Sequence, residues 1–168
     1  PPGFSHPLLR DSKKMSEKHR TQLRFIIEKE AVSWSVATAS AQEIDRINIL
    51  QASFLAMHRA IQGLHVRPEF LIIDGNRFKS EGAIPFKTFV GGDNLYASIA
   101  AASVLAKTHR DEYMLGLHEA LPDYGFNRNK GYGTRAHYLA LARCGVSEHH
   151  RRSFTLLKKQ GELFEGAE

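Results

Sequence analysis

Two aspartates stand beside glycines where short apolar stretches end. Asp74-Gly75 follows Phe70-Leu71-Ile72-Ile73, and Gly92-Asp93 follows Lys87-Thr88-Phe89-Val90. Placed at neighbouring strand ends, two carboxylates can share a hard divalent cation. Mg²⁺ and Mn²⁺ take oxygen ligands and complete their shells with water and substrate phosphates. Glycine beside each aspartate lets a bulky substrate backbone come close. Asp-Gly after a strand is equally a turn signal, so the pair reads both as a candidate metal site and as two ordinary turns.

Three further constellations carry charge or aromatic character. Lys130-Gly131-Tyr132-Gly133-Thr134 puts a cation, an aromatic ring and flexible backbone at a helix start, which suits a sugar–phosphate backbone; a turn with a packed tyrosine is the alternative. Asp11-Ser12-Lys13-Lys14 reads as a phosphate clamp or as a solvated helix entry. His149-His150-Arg151-Arg152-Ser153-Phe154 reads as a basic tail touching nucleic acid or as a surface segment packed on the core, with Phe154 as its anchor. Adjacent histidines point apart, and no histidine or cysteine follows at zinc-ligand spacing. The sequence holds no phosphate-binding Gly-rich loop ending in Gly-Lys-Ser/Thr, no nucleophile elbow and no Rossmann fingerprint.

An α/β alternation has to position these groups. Ser16 caps a helix opening at Glu17, whose apolar face is Leu23, Ile26 and Ile27. Val32, Trp34 and Val36 alternate with Ser33, Ser35 and Ala37, which predicts a strand. Ser40-Ala41-Gln42-Glu43 is a capping box. It opens a helix carrying Ile44, Ile47, Leu50, Phe54, Met57 and Ile61, with Gly63 as the stop. The run Phe70 to Ile73 predicts a strand buried on both faces, interior and parallel. Lys87 to Val90 predicts a second strand, and a long helix follows from about Leu95 to Ala120, small-sided over Ser98 to Ser103. After an irregular stretch, Thr134 caps a last helix ending near Cys144-Gly145.

Composition sets the outer bounds. With 168 residues, 42% hydrophobic and 24% charged, the chain is long enough to bury a core and is not composed like a disordered one. Its 23 Lys and Arg against 18 Asp and Glu give a net charge of +5, compatible with a polyanionic partner. No apolar run approaches the roughly 20 residues of a membrane span. A single cysteine, Cys144, excludes an internal disulfide and suits a reducing cytoplasm. The start, Pro1-Pro2-Gly3, has no initiator Met, from which an upstream segment of a few tens of residues is expected.

The ordered set of motifs resembles the bacterial ribonuclease HII family across nearly the whole chain. The matching stretches are Asp11-Ser12-Lys13-Lys14, Glu43 to Ala52, Ile73-Asp74-Gly75-Asn76-Arg77 and Gly92-Asp93. They continue through Ser98 to Lys107, Arg110-Asp111 with Tyr113-Met114, Lys130 to Thr134 and His150 to Phe154.

The resemblance implies an α/β, RNase H-like mixed sheet flanked by helices, with a small C-terminal helical extension. Residues 1–120 would form the catalytic core, and 121–168 the substrate-contacting loop, helix and tail of the same domain. It implies a metal-dependent endoribonuclease that cuts RNA in RNA–DNA hybrids and 5′ of single ribonucleotides in duplex DNA, leaving 5′-phosphate and 3′-hydroxyl ends. The cofactor would be Mn²⁺ or Mg²⁺ on four carboxylates, two ions about 4 Å apart bracketing the scissile phosphate.

Asp74 and Asp93 match two of those carboxylates. The other two are an adjacent Asp-Glu pair in an Asp-Glu-x-Gly-Arg-Gly motif on the first strand, and the 168 residues contain no such motif. The N-terminal strands are therefore expected to be missing from this chain, and the chain as it stands to be inactive. Tyr132 matches a tyrosine that stacks beside the ribonucleotide junction, and Lys13 matches a phosphate contact. Lys130 and Asn94, the latter where serine is common, join them as substrate-binding residues. Gly91 stands where the family usually has lysine. A cytoplasmic monomer without membrane attachment is expected, with a non-catalytic nucleic-acid-binding relative as the alternative.

Overall fold

The computed structural model describes residues 1, 3–7, 9 and 15–154. Its long elements are α1 (Glu17–Glu30), α2 (Ala41–Gln62), strands β1 (Leu71–Asp74) and β2 (Phe86–Phe89), then α3 (Ala97–Ala120), the short α4 (Phe126–Asn129) and α5 (Arg135–Cys144). One-turn 3₁₀ helices lie at Gly92–Asn94 and Pro122–Tyr124. The described residues divide into two compact units, one of residues 1–38 and 53–109, the other of residues 39–52 and 110 onward.

In the first unit, Ser16 caps α1 by accepting from the His19 amide, as its residue type predicts. Leu23 and Ile27 on the buried face of α1 meet Ala100, Val104 and Leu105 of α3, with Leu9 and Met15 closing the cluster. Leu23 and Val104 are fully buried, each worth about 1.5–3 kcal/mol of burial. The small side chains at Ala100 and Ala101 allow that close approach.

β1 and β2 pair in parallel, Leu71 opposite Phe86 and Asp74 opposite Phe89. β1 is half-buried rather than buried on both faces, because among the described residues the sheet has only these two strands. The Phe78 ring meets Phe86 of β2 and Phe54 edge-on, and His58 bonds the Lys79 carbonyl.

The segment around Val32 to Ala37 is not a strand. Trp34 and Val36 do pack on the α1–α3 core, while Val32 is 68% exposed and the serines between them are half-buried. Its polar groups are satisfied otherwise: the Ser33 hydroxyl accepts from the His65 and Val66 amides, and the Thr38 carbonyl accepts from Arg59.

In the second unit the capping box forms in full. The Glu43 amide donates to Ser40 Oγ at 3.1 Å and the Ser40 amide to the Glu43 carboxylate at 2.8 Å. The helix it opens is broken at Asn48, which sits at φ 66°, ψ 164°. The Asn48 carboxamide oxygen then accepts from the Leu50 and Gln51 amides and restarts the helix. Hydrophobic spacing alone does not see this break.

Tyr124, Phe126, Ala140 and Leu141 form the core of this unit, and Thr134 caps α5 as its position predicts. Residues 148–153 are fastened down. Gln42 donates to the Glu148 carbonyl, and Asp45 accepts from the Arg152 and Ser153 amides and the Ser153 hydroxyl at 2.6–2.9 Å. Phe154 is 39% exposed and lies under the Arg151 guanidinium at 4.0 Å rather than in a core. Cys144 is exposed at the end of α5.

Candidate active site

The first unit brings Asp74 against the Gly92-Asp93 turn. β1 ends at Asp74, and the Gly75 amide donates to the Phe89 carbonyl, which keeps both strand ends level. Gly91, at φ 67°, turns the chain sharply after β2 into the 3₁₀ turn of Gly92-Asp93-Asn94. That turn folds back over β1, so the Gly92 amide donates to Asp74 Oδ1 at 2.9 Å. One carboxylate is thus fixed by the backbone immediately before the other. Asp93 is only 5% exposed, while Asp74 is exposed.

Gly92 sits in close packing. A Cβ there would come within 2.7 Å of Ile99 Cδ1, 3.3 Å of Phe89 Cβ and 3.5 Å of Asp74 Oδ1. Asn94 donates to Asp93 Oδ1 at 3.2 Å, so its carboxamide holds the buried carboxylate. The Phe89 and Tyr96 rings, 4.7 Å apart, pack beside the turn.

The donor set suits a hard cation. Both side chains offer oxygen only, and Mg²⁺ typically takes one or two protein carboxylates with water and substrate phosphate. Among the described residues no group of three or more His, Cys, Asp or Glu side chains converges on a metal-sized space. Asp74 and Asp93 are the two carboxylates there that could serve as ligands.

Lys13 is outside the described residues. Lys130 and Tyr132 belong to the second unit, in the bend between α4 and α5. Lys130 (φ 48°) and Gly131 (φ 77°) are both left-handed, and Asn129 Oδ1 accepts from the Gly131 amide, which fixes the bend. Tyr132 leaves it 62% exposed.

Arg110, which residue type and spacing do not single out, is the residue that holds Tyr132. Its guanidinium donates to Tyr132 Oη at 2.8 Å and lies 5.2 Å from the ring centroid. Burial opposes the Arg110 charge, but bonds to Asp111 and Tyr132 outweigh it and hold the guanidinium above its ordinary value. Nothing in the sequence pairs two residues on different elements; only the Arg110-Asp111 motif marks the position.

Known proteins match this chain over most of its length. A family model described as Ribonuclease HII matches residues 4–157. A ribonuclease HII of Porphyromonas gingivalis is 59% identical over 154 residues, covering 92% of this chain and 77% of the relative. That of Bacteroides thetaiotaomicron is 55% identical over 157 residues, covering 94% and 78%. The crystal structure of the ribonuclease H2 from Pyrococcus horikoshii OT3 superposes with a TM-score of 0.73 over 88% of this chain and 77% of that one, at 17% identity. That superposition speaks to the fold, which is α/β and RNase H-like. The paired aspartates, the ordered motifs and the extent of these matches lead to one assignment: the chain belongs to the ribonuclease HII family of metal-dependent endoribonucleases.

Proposed function

We propose that this protein cleaves RNA in RNA–DNA hybrids and cuts 5′ of single ribonucleotides embedded in duplex DNA, leaving 5′-phosphate and 3′-hydroxyl ends. The observation that carries this reading is the junction of Asp74 with the Gly92-Asp93 turn, where Gly92 N–H and Asp74 Oδ1 meet at 2.9 Å. A carboxylate held against the turn that carries a second aspartate, in a chain of net charge +5, suits a cation that meets a phosphodiester.

Asp74 and Asp93 would hold Mn²⁺ or Mg²⁺. When bound, a pair of such ions activates water and stabilises the leaving 3′-oxygen. The chain's own contribution is positional. Gly92 keeps Asp74 aimed, Asn94 keeps Asp93 aimed, and the exposed Tyr132 ring offers a face for stacking on sugar or base. Lys130 and Lys13 supply positive charge to the phosphate backbone, with Asn94 as a further polar contact to the strand.

The Asp-Glu-x-Gly-Arg-Gly motif that would supply the other carboxylates is not among these 168 residues, and cleavage is expected only from a protein that includes it. We read the protein as a monomer acting in the cytoplasm; no described helix is long and apolar enough to cross a membrane. A second reading, a relative that holds nucleic acid without cutting it, is favoured by Gly91 in place of the usual lysine.

The deciding experiment incubates full-length protein with duplex DNA carrying one ribonucleotide and, separately, with a long hybrid. A cut 5′ of the ribonucleotide that needs Mn²⁺ or Mg²⁺ and is abolished by EDTA supports the nuclease. Binding without cleavage in either metal supports the second reading.

A further inference from the structure

Tyr132 is an exposed ring in a hydrophilic bend, yet it is not left to rotate. Arg110, on α3, donates through Nη1 to its hydroxyl and lies over its ring. The same guanidinium donates through Nε at 3.2 Å and Nη2 at 2.7 Å to Asp111 Oδ1. That aspartate's side chain is only 14% exposed, so it is the more firmly seated partner. Met114, one turn further along α3, closes on the bend from behind: its Cε lies 3.2 Å from where a Cβ on Gly131 would be.

These contacts stiffen the ring without burying it. The hydroxyl accepts from Arg110, which pins the ring's direction while its 62% exposure leaves ring surface open to solvent. An aromatic group that must meet a sugar or base in one orientation gains from such a hold, because its ordering cost is met before substrate arrives.

We propose that Arg110 is a positioning residue that fixes the Tyr132 ring for stacking against the nucleic-acid substrate, with Asp111 orienting the Arg110 guanidinium. This rests on the reading of Tyr132 as a substrate contact. Arg110 acts through Tyr132 and does not itself bind phosphate.

The test is a double-mutant cycle in full-length protein, on duplex DNA with one ribonucleotide in Mn²⁺. Tyr132→Phe keeps the ring and removes only the hydroxyl that Arg110 holds. Arg110→Met keeps the stem and removes the donors. Each is expected to lower kcat/KM by about tenfold, the scale of one charge-assisted hydrogen bond. The loss falls on kcat more than on KM, since alignment rather than attraction is impaired. The double variant is expected to lose no more than either single one.

Arg110→Met is also expected to leave the salt dependence of duplex binding unchanged. A slope reduced by about one unit would make Arg110 a direct phosphate contact and overturn the proposal. Additive losses, or a Tyr132→Phe variant with ordinary kcat/KM, overturn it too, and the latter needs no change at Arg110 that could disturb folding. Tyr132→Ala separates the two levels of the argument. Undiminished cleavage by that variant removes Tyr132 from the substrate contacts and the inference with it. Impaired cleavage combined with additive losses in the cycle removes the inference alone.

Discussion

Gly92 concentrates the demands of the site in one residue. Its amide holds Asp74, and its missing side chain is what lets the turn after β2 settle against Ile99 and Phe89. Gly92→Ala is expected to cost about 1–3 kcal/mol through overpacking, read from the urea midpoint, and to lower cleavage further by displacing Asp74. Asp74→Asn separates charge from structure. The carboxamide oxygen can still accept from the Gly92 amide, so stability should stay within about 0.5 kcal/mol of the parent. Cleavage should fall by more than about 100-fold, beyond what changes behind a metal ligand usually cost. Unchanged turnover in that variant would remove Asp74 from the metal site.

At the scale of elements, the caps follow residue type and the break in α2 does not. Ser16, Ser40 and Thr134 accept amide hydrogens where their positions at helix starts predict. Asn48 instead holds a backbone conformation that suits glycine, φ 66° with ψ 164°, and its side chain caps the restarted helix at Leu50 and Gln51. Asn48→Ala loses the cap and keeps the strain, an expected loss of about 1–2 kcal/mol by denaturant unfolding. Asn48→Gly loses the same cap but relaxes the backbone, so it should cost clearly less. Equal losses would show that the cap alone matters. A period of three and four is blind to such a break, because Ile44, Ile47 and Leu50 keep helical spacing in the sequence whether or not the backbone between them is helical.

At the scale of the whole molecule, the His150 imidazole links acidity to stability. It is buried against Tyr124 and Phe126 and stacks on His137 with centroids 5.3 Å apart. Its Nδ1 meets the Ser147 amide and hydroxyl. Burial first, and then the charges of His137 and His149, hold its pKa below the ordinary value. A depressed folded pKa means the unfolded chain takes the proton first. The contribution is therefore complete above about pH 6.5, the unfolded value, and is lost as pH falls through the lower folded value. Urea midpoints should drop between pH 7.5 and pH 5, and His150→Phe should flatten that drop. An unchanged pH dependence in His150→Phe would remove His150 from the linkage.

The sequence by itself determined the local chemistry: which residues cap, where β1 and β2 lie and run parallel, and that Asp74 and Asp93 carry glycines beside them. These depend on side chains within a few positions of one another or on the short apolar runs that end at the aspartates. Only the tertiary structure decided what those residues touch. It set Val32 to Ala37 in coil, because an apolar alternation becomes a strand only where a neighbour offers backbone hydrogen bonds. It folded the Gly92 amide onto Asp74, fastened residues 148–153 to Asp45, and gave Tyr132 to Arg110. Each of these joins groups on separate elements, and such contacts are fixed by packing, which no local pattern encodes.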